Sequence, residues 1–104
     1  MVSGKIPFKK VYEDDTFLAF RDINPQAPVH ILIIPRKHIS GLSATEDNVL
    51  LGSMLTLASS IAEKENIATS GYRIVINTNR DAGQTVSHLH LHLMGGRIMN
   101  WPPG

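Results

Sequence analysis

The feature that most constrains this chain is the run Gly83-Gln84-Thr85-Val86-Ser87-His88-Leu89-His90-Leu91-His92-Leu93-Met94, in which histidine recurs at every second position. A strand points successive side chains to opposite faces. The spacing therefore predicts a β-strand with His88, His90 and His92 on one face and Leu89, Leu91 and Leu93 on the other. The leucine face belongs to a core. Three imidazoles on one pleated face are costly to bury without partners and serve no packing purpose when exposed, so that face is read as a site of chemistry. Neutral imidazole is nucleophilic toward phosphorus or acyl carbon near neutral pH, and an aligned set lets one ring attack while others hold protons or orient it. The chemical rival is zinc, since histidines two apart on a strand can both ligate through nitrogen, with Asp22, His30 and His38 available elsewhere in the chain.

Composition narrows the remaining classes. A chain of 104 residues fits one domain with a single core. Ten Lys and Arg against nine Asp and Glu leave a formal charge of +1, so no polyanion-binding surface is expected and neither nucleic acid nor membrane is an expected partner. With no cysteine there is no disulfide and no thiolate nucleophile, and a reducing cytosol fits. No apolar run reaches membrane-span length and residues 1–5 lack the apolar core of a signal peptide, so the expected location is cytoplasmic.

Taken in order, residues 9–13 and 16–23 read as a hairpin turning at Asp14-Asp15. Residues 24–28 carry two prolines and form a fixed loop. Residues 30–35 are apolar on both faces, as in a central strand, which Pro35 ends. Ser43-Ala44-Thr45-Glu46 is a capping box that predicts a helix from Ala44. Within it Leu50, Met54, Leu57 and Ile61 form one stripe, with Leu51, Leu55, Ala58 and Ala62 beside it. That sector is wide enough to cover both the sheet and a second copy of the protein. Residues 72–77 alternate as a fourth strand, and the polar turn 78–84 feeds the histidine strand, the fifth. Alone, Gly83-Gln84-Thr85 reads as a plain connection; directly before the histidines it suits an oxyanion or phosphate, because small residues let backbone N–H groups approach. Asn77 reads equally as a strand terminator or a ligand, Asp22 as a turn residue, His38 as an exposed loop histidine and Trp101 as a packing anchor. His30 is read as a core histidine at a strand start.

The segment His88-Leu89-His90-Leu91-His92-Leu93-Met94 matches the histidine-triad signature, and the chain resembles the histidine-triad nucleotide-binding (Hint) branch of that family. The resemblance extends from Gly4 to Gly104 and includes residues 22–28, 34–40, 71–73, 83–86 and the ending Trp101-Pro102-Pro103-Gly104. It implies an α+β fold: a five-stranded antiparallel sheet with one long helix, joined to a second copy as a ten-stranded homodimer. It also implies hydrolysis of purine nucleoside 5′-phosphoramidates, such as adenosine 5′-monophosphoramidate, through a nucleotidyl intermediate on His90. On the same resemblance His92 and Thr85 contact the α-phosphate and help protonate the leaving amine, while His88 and His38 complete the hydrogen-bonded group. Asp22 receives the ribose hydroxyls and Phe20 and Ile23 line the purine pocket. Asn77, Gly83 and Gln84 form the phosphate site, and Trp101 closes the partner's site.

The chain departs from the pattern where relatives carry a preceding helical segment, often with two zinc-binding cysteines. That segment is missing here, so no structural zinc is expected; separately, no catalytic metal and no cofactor is expected. Thr85 stands where many relatives have serine, and Arg80 brings an unassigned cation near the phosphate loop. The alternatives are a dinucleoside polyphosphate hydrolase, against which the Trp-Pro-Pro-Gly ending argues, and a purine-nucleotide-binding regulator with incidental turnover. Nucleotidyl transfer to a sugar phosphate is disfavoured because such relatives replace the last histidine with glutamine.

Overall fold

Short alternating segments separated by turn formers leave this chain few ways to bury its apolar residues, and the computed structural model, which describes residues 9–104, resolves them into one antiparallel sheet under one helix. The reading of residues 1–5 lies outside the described residues. Strands β1 (Lys10–Glu13) and β2 (Phe17–Arg21) form the expected hairpin. The Asp14 carboxylate closes it, Oδ1 accepting the backbone N–H of Thr16 and of Phe17, each at 2.7 Å, as Asx turns do. Strand β3 (Val29–Pro35) is central in the order β1-β2-β3-β5-β4, with β4 spanning Tyr72–Val75 and β5 Leu91–Gly95. The five-stranded antiparallel sheet with one long helix is therefore present as expected.

Helix α1 (Asn48–Lys64) starts four residues later than the capping box predicts. Residues Leu42–Ala44 instead make a single 3-10 turn, and Asp47 is the N-cap, its Oδ1 accepting the N–H of Leu50 at 2.9 Å. Two cap signatures compete within a few residues, and an anionic carboxylate at the positive end of the helix outweighs a serine hydroxyl. The helix buries Met54, Ala58, Ile61 and Ala62 against Ile31 and Ile33 of β3 and Leu91 and Leu93 of β5. Fully burying a side chain of the size of Met54 contributes about 1.5–3 kcal/mol. The wide apolar sector divides: its inner part is core, while Leu55 and the preceding turn's Val49 stay 47% and 79% exposed. Arg21 at the end of β2 clamps Glu65 at the helix C-terminus through two parallel bonds of 2.9 and 3.0 Å, fixing the helix against the sheet. Among the described residues no helix is long and apolar enough to cross a membrane.

The two cap signatures separate by mutation. Asp47→Ala should lower unfolding free energy by about 1 kcal/mol, whereas Ser43→Ala should change it by no more than a few tenths; urea midpoints of the two variants check this.

Candidate active site

Alternation in the sheet assigns two faces. Phe17, Ala19, Ile31, Ile33, Leu91 and Leu93 point to the helix; Leu18, Phe20, His30, Leu32, Ile34 and His92 point the other way. On that second face the register aligns Phe20 with Leu32, Leu32 with His92 and His92 with Val75, one row crossing four strands. Leu18, Phe20 and Ile34 form a separate buried cluster on it.

Only His92 of the three histidines lies on a regular strand, because β5 begins at Leu91, not before the first histidine as expected. The cause is Pro35. The β3–β5 ladder runs as far as Ile33 opposite Leu91, and proline has no N–H with which to carry it further. The chain upstream is held instead by the segment that leaves β3: the Leu89 N–H donates to Ile39 O at 2.6 Å. His88 is consequently buried, with its Nε2–H donating to Pro35 O at 2.9 Å. That leaves its Nδ1 to accept from His38 Nδ1–H at 3.3 Å. His90, half-buried, donates from Nδ1–H to the His88 carbonyl at 2.8 Å. A carbonyl can only accept, so the lone pair of a neutral His90 sits on Nε2.

A second chain fixes His92. The Gln26 N–H donates to His30 Nδ1 at 2.9 Å, so His30 carries its proton on Nε2 and donates it to His92 Nδ1, also at 2.9 Å. His92 then presents Nε2–H. Its ring centroid is 5.0 Å from that of His90, so the two rings, of opposite tautomer when neutral, are neighbours. Burial, then the neighbouring His90 and His30, push His92 from 6.5 down to about 4. Burial also lowers His30, against the opposing attraction of the Asp22 carboxylate 3.4 Å away. At neutral pH both rings are uncharged.

Asp22, His30 and His92 each bring one donor atom to within 4.8 Å of the others. His30 Nε2 and His92 Nδ1 are hydrogen-bonded to each other. A metal taking either of those two nitrogens has to displace the proton that fixes the tautomer of His92.

The other sequence-selected residues distribute as follows. His38 is exposed but touches His88. Phe20 is buried in the row that contains His92, and Asp22 lies at the end of β2 with its N–H on His30 O. Ile23 is 86% exposed beside it. Asn77 lies two residues beyond β4, half-buried. Gly83, Gln84 and Thr85 line a hollow of about 660 Å³ together with Ser40, Asn79, Arg80 and Ser87. Gly83 caps the 3-10 turn Arg80–Ala82 in the left-handed region (φ 81°), which its missing Cβ permits. Arg80 pairs with Asp81 at 3.0 Å in solvent. Trp101 lies at the β4 edge, with the Arg73 guanidinium 5.8 Å from its ring centroid, and is 81% exposed. His30 is the residue that the sequence reading undervalued. Its burial is as expected, but its partner is His92. It shares its face with Leu32, yet only the β3–β5 register shows that it lies diagonally across from His92.

Comparison with known proteins now decides the family. The HIT domain pattern matches residues 3–99. The chain belongs to the HIT family. It is 52% identical over 99 residues to the purine nucleoside phosphoramidase of Escherichia coli strain K12, covering 93% of this chain and 83% of that protein. It is 51% identical over 108 residues to adenylylsulfatase HINT1 of Arabidopsis thaliana, covering 100% of this chain and 73% of that protein. A crystal structure of a HIT family hydrolase from Legionella pneumophila Philadelphia 1 superposes with a TM-score of 0.94 at 51% identity, over 97% of this chain and 92% of that one. These relatives place the chain in the Hint branch and make it a hydrolase.

Neutral burial of His92 has a signed consequence. Its folded pKa, about 4, lies below the unfolded 6.5, so the unfolded chain binds more protons between these values and stability falls as pH drops from about 6.5 toward 4. His92→Gln should flatten that decline, as read from urea midpoints at pH 7 and pH 5.

Proposed function

We propose that this HIT hydrolase cleaves purine nucleoside 5′-phosphoramidates, adenosine 5′-monophosphoramidate among them, to the nucleoside monophosphate and an amine. The observation that carries this reading is the pair of complementary tautomers, His90 with a bare Nε2 and His92 with Nε2–H, on the face that also carries Phe20 and Leu32. The His90 Nε2 lone pair attacks the α-phosphorus, forming a P–N bond to the ring as the P–N bond to the amine breaks. Water then cleaves the nucleotidyl-histidine, returning the ring to its neutral form. A His92 held neutral is a hydrogen-bond donor to a phosphoryl oxygen, so the Thr85 hydroxyl is the better relay for the proton that the leaving amine takes up, passing its own proton to the nitrogen and regaining one from solvent water. His88 and His38 keep in place the His88 carbonyl that anchors the His90 ring, Asp22 meets the ribose, Phe20 and Ile23 the base, and Asn77 and Gly83 the phosphate.

The active unit is a homodimer in the cytoplasm. The unpaired side of β4 continues the sheet into a second copy, the exposed Val49 and Leu55 add apolar surface, and Trp101, carried at the β4 edge, reaches the partner's site. A stable monomer at micromolar concentration in sedimentation overturns the dimer.

Specificity constants for adenosine 5′-monophosphoramidate, adenylyl sulfate and diadenosine polyphosphates rank the substrate classes, and the phosphoramidate should lead. His90→Ala should lower turnover by roughly 10³-fold or more while nucleotide still binds in calorimetry; surviving activity removes the nucleophile assignment. Chelator treatment should leave turnover within about twofold, because His30 Nε2 and His92 Nδ1 are already engaged with each other.

A further inference from the structure

The phosphate loop is not held by a core. Residues 79–84 run along the rim of the hollow between the 3-10 turn after β3 and the approach to the histidines, and what crosses that space is one side chain. Gln84 Oε1 accepts the Asn79 N–H at 2.8 Å. Its Nε2 donates to Ser40 O at 2.8 Å and to Val86 O at 3.1 Å. Its backbone N–H closes the loop on Asn79 O at 3.1 Å. Both amide protons and one acceptor position are thus engaged by protein, at Asn79 and Val86 within the loop itself and at Ser40 across the hollow. A Cβ at Gly41 would stand 3.4 Å from the Gln84 amide, so the seat fits that side chain closely.

What the amide restrains is strained. Asn79 has φ 67° and ψ −171°, a conformation left almost entirely to glycine, and it persists only where surrounding structure over-determines it. The bond from its own N–H to Gln84 supplies that restraint.

We propose that Gln84 is a positioning residue of the reaction. It acts on the phosphate through the loop and does not touch it: the amide cross-tie holds Asn79 in its strained conformation and fixes the backbone of Gly83 and Thr85 relative to His90. This rests on the phosphoramidase reading of the same site and deepens it. Donors displaced by a fraction of an ångström still meet a bound nucleotide but miss the geometry of the transition state, so the effect falls on kcat more than on binding.

The test combines Gln84→Ala, Asn79→Gly and the double variant, with hydrogen exchange over residues 79–84, kcat and KM on adenosine 5′-monophosphoramidate, and AMP affinity by calorimetry. Gln84→Ala should speed exchange in that segment and lower kcat by about 10- to 100-fold, with AMP affinity within about threefold. Adding Asn79→Gly, which removes the strain, should restore at least about threefold of the lost kcat. Three results overturn the proposal: AMP affinity falling in step with kcat, which makes Gln84 a direct ligand; a lowered thermal midpoint with kcat unchanged, which makes it merely structural; or no recovery in the double variant. Wild-type protein that hydrolyses no phosphoramidate overturns the proposed function instead, and exchange alone then judges the cross-tie, unchanged protection in Gln84→Ala refuting it.

Discussion

The register of β3 against β5 is the constraint from which the site follows. Leu32 opposite His92 and His30 opposite Met94 put two histidines on one face at diagonal positions, close enough for a direct ring-to-ring bond. A slip of one residue would turn His92 into the core and Leu91 and Leu93 out of it. The register is secured from the other face, where Ile31, Ile33, Leu91 and Leu93 are buried under Met54, Ala58 and Ile61. Packing on one side of the sheet thus sets the chemistry on the other. Where the ladder stops matters equally: beyond Ile33 the partner strand ends in a proline, and the freed chain is drawn to Ile39, which buries His88 and leaves His90 half-exposed.

Backbone groups then settle which nitrogen of each ring carries the proton. The carbonyls of Pro35 and His88 can only accept and the amide of Gln26 can only donate, so each dictates the tautomer of the imidazole it meets. Side-chain carboxylates, the commoner partners of functional histidines, would have favoured charged rings. Here the one nearby carboxylate, Asp22, does not overcome burial at His30, and burial likewise holds His92 well below the usual imidazole range, so this pair stays neutral and its tautomers stay fixed.

Much of this was legible in the sequence, and the limits have physical causes. Alternation identifies β4 and the helix-facing leucines, the Asp14-Asp15 turn marks the β1–β2 hairpin, a run apolar on both faces marks β3, and two prolines mark the loop after Asp22. The helix start was displaced because Ser43 and Asp47 both offer caps and only tertiary context chooses between them. The strand at the histidines was read too long for a different reason: His88 and His90 obey the alternation, but continuation of a ladder depends on its partner, and Pro35 is fifty-odd residues away in sequence. The pairing of His30 with His92 was hidden likewise, since parity places a residue on a face and says nothing of its neighbour across strands. The bond from the Gln84 amide to Ser40, 44 residues away, has no local signature at all.

One helix cannot cover both faces of a five-stranded sheet, and this imbalance shapes what the second face presents. Its buried apolar cluster is Leu18, Phe20 and Ile34 with Leu32 packed against it, on β2 and β3, and toward β5 the same row passes into imidazole at His92. Asp22 stands at the border, its backbone N–H on His30 O and its carboxylate against the His30 ring. Apolar surface, then a carboxylate, then imidazole rings and a polar loop follow the order of polarity along a nucleotide from flat base through ribose to phosphate. The strand-borne part of that sequence is rigid because a packed core lies directly behind it. The loop-borne part has no core behind it, and its geometry is only as good as the hydrogen bonds that cross the hollow beside it.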